Sequence, residues 1–331
     1  MTVSKNRSKR VGIGGVAWKW VLLIVGGGLL AGRARAGIPA EATVTVGNEQ
    51  GVPVEGANVS VSFALNDNAP PVQGLTDTNG QFRAGSMGSD GGAYFSAYKD
   101  GHYVTRGEFL FDGVDTGKWV PWNPIAEALL RPIENPVPMY ARNVETTIPA
   151  ESRALGYDLE AGDWTVPHGR GTVRDFLFTY TRRAESWDNF DVKLELTFSN
   201  PDDGIQEVRW PYKSYLGSVY RLPRFAPDDG YHATNIIAFG ADPQKGYYNV
   251  ERPEDLNYFF RVRTQTNDAG EVTNAWYGKL HGDFDLSGYG TDRSTLKFRY
   301  YVNPDGTRNM EFDPKRNLSR NLGRWEGVSL P

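Results

Sequence analysis

Residues 190–198 read Phe190-Asp191-Val192-Lys193-Leu194-Glu195-Leu196-Thr197-Phe198. Five apolar residues alternate strictly with four polar ones. In an extended chain, period two places every apolar side chain on one face, the pattern of a half-buried strand. Asn200-Pro201-Asp202-Asp203-Gly204 follows as a turn, so Gln206–Trp210 is expected to return antiparallel beside it. Upstream, Thr172–Thr181 carries Phe176, Phe178 and Tyr180 on one face. Downstream, Tyr258–Thr264, Glu271–Leu280 and Leu296–Val302 add three more strands. No 15-residue stretch shows a helical period, and no repeat of fixed length appears.

Composition agrees with this pattern. The 331 residues include 38 Gly, 20 Pro and no Cys. Glycine, proline and abundant aromatics favour strands joined by tight turns. The missing cysteine excludes a disulfide scaffold, a Cys-ligated metal and a thiol nucleophile. The length suggests two domains. The expected fold is therefore all-β, with two sandwich-like domains of about 38–142 and 143–331, the second the larger and antiparallel.

In the first domain, Ala42–Val46, Ala57–Leu65, Ala93–Lys99 and Tyr103–Phe111 alternate in the same way. Asp77-Thr78-Asn79-Gly80 reads as a hairpin turn before Phe82. Trp119–Pro149 holds six prolines and reads as an extended connector or an edge strand. The segments Gly51–Val61, Thr76–Phe82 and Lys99–Tyr103 resemble the carboxypeptidase regulatory-like, or transthyretin-like, β-sandwich. That resemblance covers about 70 residues and implies a non-catalytic accessory module of secreted proteins, with no catalytic residue to carry over. Gly156–Trp164, Asn257–Arg263, Asn303-Pro304 and Glu311–Lys315 give the second domain a similarity to uncharacterised secreted bacterial proteins, which implies no activity.

The N-terminus reads as an export signal. Lys5, Arg7, Lys9, Arg10 and Lys19 precede an apolar run, Trp20–Ala31, and Ala34-Arg35-Ala36 is a small-x-small cleavage site. Twelve residues at about 1.5 Å rise cannot cross a hydrocarbon core of about 30 Å. Cleavage after Ala36 is expected, leaving no membrane span. Residues 1–36 contain seven Lys/Arg and no Asp/Glu, so the chain beyond them carries 29 cations against 40 anions, a balance of −11. Such a chain is a poor nucleic-acid partner, since phosphate contacts need net positive charge.

Candidate sites are few. Asp283-Phe284-Asp285-Leu286-Ser287-Gly288 opens like a calcium loop, but position 12 is Ser294 and position 8 is Gly290, so the ligand set is short. Asp283 and Asp285 are the only metal candidates, and a solvated loop is the simpler reading; no metal or cofactor is expected. His102, His168, His232 and His281 are too far apart for a local zinc pair, and no G-x-S-x-G elbow accompanies them. Glu151, Glu160, Asp163, Asp202 and Asp203 are acids in loops that could form a glycosidase pair only if the fold brought two together.

One surface stands out. If Asn267-Asp268-Ala269-Gly270-Glu271 forms a three-residue hairpin loop with Gly270 at positive φ, Val262 faces Trp276 and Arg261 faces Tyr277. One face then carries Tyr258, Phe260, Val262, Trp276 and Leu280 as core. The other carries Phe259, Arg261, Arg263, Tyr277 and Lys279, expected to be exposed, either as an ordinary solvent face with cross-strand cation–π pairs or as a platform for an acidic glycan. The expected protein is a secreted or periplasmic, non-enzymatic interaction or structural protein of the envelope, whose partner is a glycan or another envelope protein. The alternative is a carbohydrate-active protein, either a glycan-binding module or a hydrolase with a carboxylate pair.

Overall fold

The structure, a computed structural model, describes residues 37–63, 70–88, 91–210, 216–249, 253, 255–287 and 294–329. The signal segment, with its cleavage site at Ala36, lies outside the described residues, as do Ala64 and Leu65 of the second expected strand and Gly288 and Gly290 of the calcium-like loop. The fold is all-β. Its one helical element among the described residues is the single 3-10 turn Pro314–Arg316.

The first sandwich packs two sheets. One orders Gln81–Gly88, Ile38–Gly47 and Ile125–Leu129, the last pair parallel. The other orders Gly217–Ser218, Thr105–Leu110, Gly92–Tyr98, Asn58–Ser62 and Val72–Leu75. Small side chains fill the space between them, among them Ala42, Val44, Val46, Val59, Val61 and Ala97. The Asp77–Gly80 turn is built as expected: Asp77 Oδ1 accepts from Asn79 N and Gln81 N at 2.9 Å, and Gly80 has φ 72°. It does not close a hairpin, however. Val72–Leu75 pairs with Asn58–Ser62 and Gln81–Gly88 with Ile38–Gly47, so the turn carries the chain from one sheet to the other. Thr76 anchors the crossing, with Oγ1 donating to Val54 O at 2.6 Å and accepting from Ala57 N at 2.9 Å.

The second sandwich has two six-stranded sheets. One orders Asp163–Trp164, Ala154–Asp158, Phe176–Ser186, Asn189–Thr197, Thr234–Asp242 and Gly246–Asn249. The other orders Tyr140–Thr147, Thr295–Asn303, Val272–Leu280, Leu256–Thr266 and Gly204–Arg209, with Asp285–Ser287 paired to Thr295–Asn303. Phe190, Val192, Leu194 and Leu196 all point into the core, as their alternation requires. There they join Phe176, Phe178, Tyr258, Phe260, Phe298 and Tyr300, in an array of edge-to-face and tilted ring pairs. The strand after the Asn200–Gly204 turn departs from expectation. Gly204–Arg209 pairs with Leu256–Thr266 in the opposite sheet, and Thr234–Asp242 takes the place beside Asn189–Thr197. Ile205 reaches the common core from the second sheet, which a two-layer sandwich allows and a local hairpin does not.

Gly37–Pro331 forms one compact unit. The expected boundary at Asn143 falls inside Tyr140–Thr147, which pairs with Thr295–Asn303 and belongs wholly to the second sandwich. The proline-rich stretch is not a free connector. It supplies the edge strand Ile125–Leu129, and Val137, Met139 and Ala141 are buried against Phe259, Tyr301 and Phe312. Two later segments return to the first sandwich: Gly217–Ser218 pairs with Thr105–Arg106, and Glu311 accepts from Tyr103 Oη at 2.8 Å.

Candidate functional site

The hairpin expected to carry the ligand face has the expected register. Asn267 N donates to Glu271 O at 3.0 Å, Gly270 N donates to Asn267 O at 2.9 Å, and Gly270 has φ 80°. Val262 faces Trp276 and Arg261 faces Tyr277. Burial differs from expectation. Phe259 is 1% exposed, Tyr277 7% and Lys279 0%. An exposed five-residue face does not form, because this sheet is covered on both sides. Its second face holds a further core of Phe259, Ala275, Tyr277 and Tyr301, closed by Leu222, Ala226, Met310 and Phe312. Period two distinguishes the faces but not what covers each one.

The two arginines are also drawn apart from each other. Arg261 lies over Tyr231 at 5.0 Å and donates to Asp202 O at 2.8 Å. Arg263 sits at a bulge with φ 55°, where two residues oppose one and alternation is lost. Asp203 holds the bulge, accepting from Arg263 N at 3.2 Å and Thr264 N at 2.9 Å. Arg263 thereby crosses to the side of Trp276 and stacks on it at 3.9 Å. Its guanidinium forks Asp175 at 2.8 and 3.0 Å and reaches Glu160 at 2.9 Å.

Lys279 ends in a charged core between the two sandwiches. Its Nζ donates to Met310 O at 2.8 Å and lies 4.9 Å from the Tyr220 ring. Arg131 covers the same ring at 4.4 Å. Burial, and then the Arg131 charge, pushes the Lys279 ammonium well below its ordinary value. Beside it Arg224 pairs with the fully buried Glu311 at 2.5 Å. Burial would raise the Glu311 carboxyl, but Asn135 N, Glu134 N, Arg224 and Tyr103 all donate to it and hold it below the usual range.

One pleat along the same sheet face lies an open polar row. Asn143 stands opposite Arg299, and His281 N donates to Arg299 O at 3.0 Å. Arg221 Nη1 lies 3.2 Å from His281 Nε2, and Arg299 Nη1 lies 3.3 Å from His281 Nδ1. Together with Trp210 and Asn257 these residues line a cavity of about 310 Å³. The sequence reading missed this row. Lys297 and Arg299 alternate with Phe298 and Tyr300, which marks a cationic strand face, but the approach of His281 and Arg221 depends on long-range pairing.

The remaining candidates are held structurally. Asp285 lies in a strand opposite Lys297, and Asp283 Oδ1 accepts from Tyr258 Oη at 3.0 Å. Ser294 Oγ bonds Tyr180 Oη at 2.7 Å inside the core. Among the described residues no group of three or more acids and histidines is placed to hold a metal ion. Glu151 pairs with Arg182 at 2.6 Å and Asp163 with Arg170 at 3.5 Å. His168 meets Arg153 at 3.2 Å, and His102 bridges Pro132 through its backbone.

No family model matches the chain, and no curated protein matches it. Solved structures similar to it include a DUF3823 family protein from Parabacteroides merdae, 9% identical over 80% of this chain and 98% of that one, with a TM-score of 0.21. BcpA, the major pilin subunit of Bacillus cereus, is 11% identical over 78% of this chain and 95% of its own, with a TM-score of 0.22. A protein from Bacteroides fragilis, described as membrane-associated and of unknown function, is 10% identical over 81% and 99%, with a TM-score of 0.20. Scores this low assign no function to the chain.

Proposed function

We propose that the chain is an exported, non-enzymatic structural and interaction protein of the cell envelope, its first sandwich a carboxypeptidase regulatory-like accessory module. The observation that carries this reading is the use made of the buried acids. Asp158 and Asp175 surround Arg263, and Glu311 closes on Arg224 where the two sandwiches meet. These three carboxylates, which could serve as general acid or base, are fixed in arginine clamps, where they join strands and layers. The export signal read at residues 1–36 supports placement outside the cytoplasm. The described residues contain no helix long and apolar enough to cross a membrane.

The test combines cell fractionation with a turnover panel. The chain is expected in the envelope or medium, shortened by about 36 residues, and silent on glycoside and ester substrates. Turnover that disappears in a folded Asp175→Asn or Glu311→Gln variant would replace this reading with a hydrolase. Glycan binding is the second reading, favoured by the polar cavity at His281 with Trp210 in its wall.

A further inference from the structure

Two guanidiniums meet one imidazole in the cavity on the outer face of the large sheet. Arg221 and Arg299 approach the two ring nitrogens of His281 at 3.2 and 3.3 Å. A neutral imidazole has a single acceptor nitrogen. One of these contacts therefore sets N–H against N–H. Ionising the ring would turn both nitrogens into donors. Burial, followed by Arg221, Arg299 and Lys279, opposes this and holds the His281 pKa down to about 3. The like charge of Arg299, after burial, also lowers the Arg221 pKa. Arg299 Nε is buried without a hydrogen-bond partner among the described residues. Arg299 Nε thus adds an N–H that none of the described residues accepts, beside a space of about 310 Å³.

The other lining charges decide what kind of anion fits. Lys297 is paired with Glu145 at 3.0 Å, and Asp255 with Arg209 at 3.0 Å. Asp255, Asp283 and Asp285 all border the cavity. A bare sulfate or phosphate would gain the guanidiniums but offer no donor to the carboxylates of Asp255, Asp283 and Asp285. A molecule with one carboxylate and several hydroxyls satisfies both sides, since hydroxyls donate to carboxylate oxygens. The cavity is also much larger than a single oxyanion requires, and the Trp210 ring lines it.

We propose that this cavity binds a hydroxylated carboxylic acid the size of one sugar residue, such as a uronic acid. Its carboxylate sits on Arg299 and Arg221, and its hydroxyls donate to Asp255 and Asp285. The proposal rests on the glycan-binding reading and is independent of placement in the envelope. The same chemistry is offered by a free sugar acid and by an acidic residue of a polysaccharide.

The test titrates the full chain with glucuronate, glucose, sulfate and an oligosaccharide ending in glucuronate. Binding is read by calorimetry and by the ¹⁵N shifts of the histidine rings. Glucuronate is expected to bind and to move His281 while His102, His168 and His232 stay still; glucose is expected to fail. Arg299→Gln should weaken binding at least about tenfold, the loss of one charge-assisted hydrogen bond. Tighter binding of the oligosaccharide would assign the site to a polymer, and equal binding to the free acid. The proposal is overturned if glucuronate leaves the His281 signals unmoved, or if sulfate displaces it at equal concentration. The ring shifts are read on the wild type, so they decide even if Arg299→Gln fails to fold. Failure here with envelope localisation intact would remove the ligand alone.

Discussion

At the residue scale, Lys279 and Arg263 illustrate how little a side chain's type says about its surroundings. Lys279 is sealed against Tyr220 and Tyr301, with its ammonium pushed well below the ordinary value of 10.5. The unfolded chain then binds a proton that the folded chain does not. Stability contributed at this position is complete above about pH 10.5 and is lost as pH falls through the window below it. Wild type should gain stability from about pH 7 to about pH 10 relative to Lys279→Met, measured by urea unfolding at each pH. Parallel curves for the two proteins would show Lys279 charged in the fold. Arg263→Ala should cost about 3–5 kcal/mol, because Asp175, with 1% of its side chain exposed, loses its bidentate partner. Arg261→Ala removes rim contacts to backbone carbonyls and should cost about 1 kcal/mol. Period-two reasoning placed both arginines on one face. The bulge at Arg263 separates them, and its signal in the sequence, a non-glycine residue at positive φ, is invisible before folding.

At the element scale, the strands were legible where one face is buried and the other wet. Asn189–Thr197 follows its alternation residue for residue. Strands of the doubly covered sheet looked half-exposed because tyrosine, lysine and arginine occupy the second core. Glycine has a role here that its turn propensity does not suggest. Gly107 lies opposite Phe95, and Gly278 opposite Phe260, and in each pair the aromatic ring lies over the glycine. A Cβ on Gly278 would stand 2.1 Å from Phe260 Cζ, far inside van der Waals contact. Gly278→Ala should therefore cost about 1–3 kcal/mol through displacement of Phe260 from the core. Gly113→Ala, with open space around its Cβ, should stay within about 0.5–1 kcal/mol. Thermal unfolding of the two variants compares them; equal losses would mean that the ring over Gly278 moves freely.

At the scale of the whole molecule, the joint between the sandwiches is built from charge as well as apolar area. Glu311 gathers Tyr103, the backbone of Glu134 and Asn135, and Arg224 into one cluster from four parts of the chain. Glu311→Gln should destabilise the protein by about 3 kcal/mol, because it removes the buried charge that the cluster's donors meet and leaves Arg224 to Glu134 at 3.1 Å and Glu49 at 3.7 Å. A single unfolding transition should persist at a lower midpoint in calorimetry. Two transitions, one unshifted, would show that the sandwiches unfold independently and that Asn143 lies near a true boundary. The sequence by itself determined the all-β class and strands such as Asn189–Thr197, because alternation, Gly and Pro act through local geometry and through a period that every strand must obey; it did not mark Ala154–Asp158 or Thr234–Asp242. It also determined the hairpin register at Gly270, which a few adjacent residues specify. The tertiary structure alone decided which sheet each strand joins, which faces are covered twice, and that Arg221, His281 and Arg299 converge. Those outcomes depend on pairings across up to a few hundred residues, and nothing local to any one of these side chains encodes its partner.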